Sequence, residues 1–399
     1  MKRYNSFIFK FFDSCIVAAA ALLTLSGCIE EYEADIPADD SNLLVVEGTI
    51  RSGRSTFVLS RTQPLRGGLT SYDNASYAPS GIVTATVSVR GSDGSEYRAQ
   101  VDDAGFTCWI DALSPDVEYY LHIETGGEVY ESEPQKPLPT EEIANVSGVQ
   151  NTPESNIDVL VTPDAPFDPD KVNYYSWTYD ETWVVYPDYT TVVFFDKQAM
   201  KPVIKRDQFP GRGWKDATGS TIMVGASTNY DGQHIRRLKL YDIDRGHERI
   251  RHRYSGLVRQ RAISKAEYEY ELARRQAGSE MGGLFTPQPS ALPTNIHCLT
   301  SSKRVIGFVG CSQNTSEYRF FLDSSDFSVD YPVGDSRRWL NDCTEEDCCR
   351  MVDMGMFLCV WDDTRMMPNG KLRTAWAYRF QLDVRYGGAY LEKPVFWKD

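Results

Sequence analysis

The chain has 399 residues, with 42 Lys or Arg against 56 Asp or Glu, a formal net charge of -14 at neutral pH. That acid excess excludes a nucleic-acid binder, whose affinity rests on neutralising phosphates. The length exceeds what one hydrophobic core usually holds and predicts two domains, while 29 Gly, 20 Pro and plentiful aromatics between strand-like runs predict a mainly β, secreted protein.

The first residues carry Lys2, Arg3 and Lys10 and lead into an apolar run from Cys15 to Leu23. A basic start followed by a short apolar stretch is a secretory signal, and the run falls short of the roughly 20 residues that cross a bilayer. Leu25-Ser26-Gly27-Cys28 then matches the bacterial lipobox, so residues 1–27 read as a lipoprotein signal peptide, with the Cys28 thiol accepting a diacylglyceryl group. Several acyl chains on one residue anchor stably, at about 0.8 kcal/mol per buried CH2. Residues 28–41 hold six acids and no base. They form an acidic tether, because like charges repel and little apolar surface is available to bury. Glu30, Glu31 and Glu33, directly behind Cys28, are also the candidate export signal to the cell exterior.

From Leu43 the strands follow in order. Leu43 to Ile50 and Ser55 to Arg61 flank a short turn and predict a hairpin; a polar loop with Gly67-Gly68 follows. Ala85 to Arg90, Glu96 to Val101, Glu118 to Ile123 and Glu128 to Ser132 are separated by turn residues such as Gly91-Ser92-Asp93-Gly94 and Gly126-Gly127. This spacing predicts an immunoglobulin- or fibronectin-like β-sandwich over residues 42–134, closed by a Pro-rich linker at 135–140.

Residues 141–399 predict a larger antiparallel β domain. Its one helix, Lys265 to Ala277, is announced by the capping box Ser264-Lys265-Ala266-Glu267 and ended by Gly278; Met281 to Ser290 follows as a loop. On the strand from Tyr174 to Tyr186, Tyr175, Trp177, Tyr179 and Trp183 share one face. Such a stripe is most often a core face. The alternative is a stacking platform, with Trp177, Tyr179 and Trp183 the candidate ligand-binding residues.

The chemical motifs are sparse. His247 and His252 stand five apart, whereas a zinc-binding His-Glu-x-x-His helix needs four. No Gly-x-Ser-x-Gly and no phosphate-binding Gly-rich loop is present, so the reading is a non-enzyme with no catalytic residue, no metal and no cofactor.

Seven cysteines remain besides Cys15 and Cys28, and outside the cytoplasm disulfides are their default. Cys298 and Cys311 flank Val305 to Gly310 in a spacing that suits a bridge across a hairpin. Cys343, Cys348, Cys349 and Cys359 supply two more, the neighbours Cys348 and Cys349 each bonding elsewhere, or else hold zinc. Cys108 is the thiol left over.

Several blocks occur together and in order: Tyr254-Ser255-Gly256-Leu257-Val258-Arg259-Gln260, Gly282-Gly283-Leu284-Phe285 with Pro287-Gln288-Pro289-Ser290, Asn295-Ile296, and Val305 to Gly310. With Leu44 to Ile50 near the start and Lys393-Pro394-Val395-Phe396-Trp397 at the end, the chain resembles the Bacteroidota lipoprotein family named domain of unknown function 4249. The resemblance implies a cell-surface lipoprotein commonly encoded beside a TonB-dependent outer-membrane receptor, and it supplies no reaction. Members often carry a Cys pair shortly before the final motif; Gln381 to Gly388 holds none.

The expected function is therefore a surface-exposed outer-membrane lipoprotein, held by the lipid on Cys28 and acting as a binding accessory to a TonB-dependent transporter. The alternatives are a structural subunit of an outer-membrane or cell-surface assembly and an extracytoplasmic hydrolase.

Overall fold

Alternation of apolar and polar residues builds the first hairpin. Strand β1 (Leu44–Arg51) turns Leu44, Val46 and Ile50 inward and pairs antiparallel with β2 (Gly53–Arg61), which contributes Phe57 and Leu59. Then come β3 (Thr86–Gly91), β4 (Glu96–Arg98), β5 (Gln100–Asp102), β6 (Gly105–Ile110), β7 (Tyr119–Thr125) and β8 (Glu128–Ser132). They form two facing sheets with the orders β1-β2-β6-β5 and β8-β7-β3-β4, the arrangement of an immunoglobulin-type sandwich. The predicted single strand at Glu96 to Val101 is divided: β4 stays with β3 and β5 crosses to the sheet of β6. The computed structural model describes residues 43–62, 84–166, 168, 170–219, 222–279, 292–331 and 334–398. The signal peptide, Cys28, the tether and the loops at Gly67-Gly68 and Met281 to Ser290 lie outside these residues.

The second domain begins with β9 (Ile143–Gln150), β10 (Ile157–Pro163) and the long β11 (Tyr174–Val185). It continues through β12 (Val193–Asp196), β13 (Lys201–Ile204), β14 (Gly213–Thr218), β15 (Met223–Ala226), β16 (Leu238–Ile243) and β17 (Arg253–Ala262). The sheet β16-β10-β9 faces a second sheet in which β11 pairs with β14 and β15 on one side and β17 on the other. Ile157, Val159, Val161, Trp177, Tyr254 and Val258 fill the core between them.

Helix α1 (Lys265–Ser279) runs two residues beyond the predicted end at Ala277. Half of its capping box forms: Ser264 Oγ accepts the Glu267 N–H at 3.1 Å. The Glu267 carboxylate instead takes the Arg261 guanidinium at 2.6 Å.

The chain then returns to the first domain. Strand β18 (Ile296–Cys298) pairs antiparallel with β8, and β19 (Val305–Ser312) lies parallel to β1 from Leu44–Val305 to Arg51–Ser312. Both sandwich sheets thereby become five-stranded, and Ile296, Val305 and Val309 join their core. The sandwich is thus not completed by residues 42–134, because its two outer strands come from residues 296–312. Residues 135–140 are tied down as well: Gln135 bridges Tyr119, Leu138 bridges Ser312, and Thr140 bonds Asn314 through backbone and side chain.

Strand β20 (Ser316–Asp323) completes the sheet of β17. The remaining elements, β21 (Arg338–Asn341), α2 (Glu345–Asp353), β22 (Met356–Asp363), β23 (Leu372–Tyr378) and the short α3 (Arg379–Leu382), depart from the single β domain with one helix that the sequence predicts over residues 141–399. They build a core of their own with the β12–β13 hairpin, around Phe195, Cys348, Leu358 and Trp376. The final segment turns back over the second domain, where Trp397 meets Trp214 and Phe321 edge-on. No helix among the described residues is long and apolar enough to cross a membrane.

Candidate functional site

The aromatic stripe is core. Trp177 is fully buried and donates its indole N–H to Gln260 at 2.9 Å, Trp183 is buried, and Tyr179 stacks on Tyr241 with ring centroids 3.8 Å apart. The ligand-binding alternative for Trp177, Tyr179 and Trp183 is corrected accordingly: these rings are occupied by their own domain. The same interior holds a charged network in which the buried Glu181 carboxylate accepts from Arg249 at 2.7 and 2.9 Å and from Tyr254 at 2.9 Å.

The seven described cysteines are free thiols. No hairpin bridge joins Cys298 to Cys311, because β18 and β19 belong to opposite sheets of the sandwich rather than to one hairpin. Cys298 sits near the Thr300 and Ser301 hydroxyls, while Cys311 is buried, which pushes its thiol up to about 12.

The second cysteine group is corrected in the same way. Cys343 Sγ lies 3.4 Å from the Leu372 carbonyl and Cys348 is fully buried in the same core, flanking the capped start of α2; Cys349 contacts Met200, and Cys359 lies near the Phe357 carbonyl. Positions one before the cap and four after it meet in a helix start, so the Cys343–Cys348 spacing serves packing. Cys108, the expected leftover, is one buried free thiol among these. His247 caps a short helical turn through Nδ1, and His252 packs edge-on against Tyr186. Among the described residues no three His, Cys, Asp or Glu side chains group to hold a metal.

The structure assembles a different site, where α1 crosses the outer face of the sandwich at β1 and β19. Alternation along β1 leaves Glu47 and Thr49 outside the core, and alternation along β19 does the same for Phe308 and Gly310. Tyr270 of α1 packs on Phe308, ring centroids 5.5 Å apart.

Gly310 admits the Arg261–Glu267 ion pair, since a Cβ there would lie 2.6 and 2.7 Å from the Glu267 oxygens and 2.8 Å from Arg261 Nη1. One turn on, Arg274 bonds Glu271 at 2.9 Å and reaches Glu47 at 3.9 Å. Burial lifts the Glu271 carboxyl above its ordinary range despite the pull of Arg274.

Between these groups lies a cavity of about 160 Å3, whose wall is completed by Ile222 from the second domain. Arg261 Nη1 is buried against Gly310, closed off from the cavity, with no hydrogen-bond partner among the described residues. Two guanidinium and three carboxyl groups on aromatic walls suit reversible binding of a small polar molecule. Sequence reading missed the site because its parts come from β1, β17, α1 and β19. The one local sign was Glu267 of the capping box standing six residues after Arg261.

A search of curated proteins gives no match. Among solved structures, a DUF4785 family protein from Legionella pneumophila is similar at 11% identity over 54% of this chain and 52% of that chain, with a TM-score of 0.16. This chain spans about half the length of that structure, and a likeness at that score carries no argument about fold or function. The sequence model of the family described as Domain of unknown function (DUF4249) matches residues 29–318, which takes in the sandwich, the long β11 and β17 strands and the whole lining of the cavity. The chain belongs to the DUF4249 family.

Proposed function

We propose that this protein is an outer-membrane lipoprotein facing the cell exterior, where it binds a ligand or protein as accessory to a TonB-dependent transporter. The observation that carries this reading is Leu25-Ser26-Gly27-Cys28 standing directly before six acids and no base in residues 29–41. The lipobox supplies the anchor, the acids supply the outward address, and a polar cavity on a rigid sandwich fits a protein whose work is binding and not turnover.

Cells grown with an alkyne-tagged fatty acid are expected to label the wild-type chain and not the Cys28→Ala variant. Protease added to intact cells should then remove the labelled protein. Unlabelled wild-type chain rejects the lipoprotein reading, and full protection from protease rejects the outward orientation. Pull-down from solubilised outer membranes is expected to recover a TonB-dependent receptor; recovery of a non-transporter assembly in its place favours a structural subunit.

A further inference from the structure

We infer that the cavity between α1 and the outer face of β1 and β19 binds a small zwitterion of the α-amino acid class, a molecule with one carboxylate and one ammonium group. This names a ligand class for the binding role proposed above and rests on that reading for its purpose, while its chemistry rests on the cavity.

The anionic end is set by Arg274. Its Nε and Nη2 both bond Glu271 at 2.9 Å, whereas Nη1 has only the 3.9 Å approach to Glu47, and the side chain, 38% exposed, lines the cavity. A ligand carboxylate oxygen accepts there in a charge-assisted bond, the strong kind.

The cationic end is set by Glu47. Its side chain is 55% exposed, and its one ion pair among the described residues, with Arg274, is long at 3.9 Å. Arg274 is committed more closely to Glu271, at 2.9 Å. Glu47 therefore keeps capacity to accept from an ammonium group.

The charge balance selects the class. A simple anion gains Arg274 but meets Glu47 and Glu271, and a simple cation gains Glu47 but meets Arg274. A zwitterion satisfies both ends at once. A volume of about 160 Å3 has room for roughly five water-sized groups, which fits a small free amino acid and is too small for an oligosaccharide or folded peptide. Tyr270, Phe308 and Ile222 supply an apolar wall for the side chain, and the junction of two domains is where such sites concentrate.

The test is isothermal titration calorimetry on the full mature chain with L-alanine and L-leucine, against acetate and ethylamine as single-charge probes. At least one amino acid is expected to bind with a Kd of about 1 mM or tighter, and both single-charge probes about tenfold more weakly. Glu47→Gln changes a half-exposed group, and is expected to weaken amino-acid binding about tenfold with an unchanged melting curve. Thr49→Trp, which fills the cavity from the half-buried strand face beneath α1, is expected to abolish it.

No heat from either amino acid, acetate binding as tightly as alanine, or unchanged binding in Glu47→Gln each overturns the inference. Failure of acylation at Cys28 would overturn the lipoprotein reading and leave these titrations as they are.

Discussion

Gly307 sits on β19 with φ +122°, and a Cβ there would lie 1.8 Å from the Val46 carbonyl oxygen. Only glycine lets β19 approach β1 this closely. Gly307→Ala is expected to cost about 3 kcal/mol or more, since it combines backbone strain with a clash against main chain that cannot move aside; urea denaturation of the purified protein measures it, and an unchanged midpoint refutes the account. Asp383 is a second residue whose surroundings decide its behaviour. Its side chain is 1% exposed, and hydrogen bonds from the Arg385 guanidinium, opposed by burial and helped by the Arg385 N–H, hold its carboxyl below the ordinary range. A lowered folded-state value means that the stabilisation is present above the unfolded value of about 4 and is lost as pH falls through the folded value. Asp383→Asn should therefore cost about 2 kcal/mol near neutrality, and thermal melts should show the gap to wild type closing as the pH drops below about 4.

At the scale of elements, what could be read along the chain followed local period. The strands at Leu44–Arg51, Thr86–Gly91, Tyr119–Thr125 and Glu128–Ser132, and helix α1, carry their own alternation, turns or cap, and all were legible. Strand β6 was not: Phe106, Cys108 and Ile110 point inward, but the outward Trp109, 68% exposed, hides the alternation. Helix α2 goes unpredicted because its capping box uses Asp347 where Glu or Gln is usual; Thr344 and Asp347 nonetheless bond reciprocally. The stripe on β11 shows the limit of an alternation argument, which finds that residues share a face without saying what the face meets. That face includes Glu181 as well as the aromatics, with Arg249 reaching it from the turn before β17 and Tyr254 from β17 itself. Glu181→Ala strips the partner from a largely buried guanidinium and is expected to destabilise the protein by about 3 kcal/mol. Chemical denaturation reads this directly; a loss near zero would show that the network is solvated.

For the whole molecule, the decisive feature is that the first domain is closed by strands made after most of the second. Without β18 and β19 the sandwich loses Ile296, Val305, Val309 and Cys311 from its core and leaves the edge of β1 unpaired. A fragment of residues 43–140 is therefore expected to show no cooperative thermal transition by circular dichroism, in contrast to the full chain. A sharp transition in the fragment would restore the simpler picture of two domains in series. The same return of the chain creates the cavity, since Phe308 and Gly310 arrive on β19 opposite the α1 residues that precede it.

The sequence by itself determined what depends on neighbours a few residues away: the mainly β class, most of the first eight strands, helix α1, and the ordered blocks by which the family is recognised. The tertiary structure alone decided that β19 lies on β1, that the aromatic stripe is core, that cysteines apt for a hairpin bridge lie in opposite sheets, and that Arg261, Glu267 and Glu47 surround one cavity. The physical reason is the range of each signal. Periodicity, turns and caps are set by contacts within one or two turns of chain, whereas the pairing of sheet edges and the meeting of charged faces depend on which surfaces fold together, and no local pattern records that.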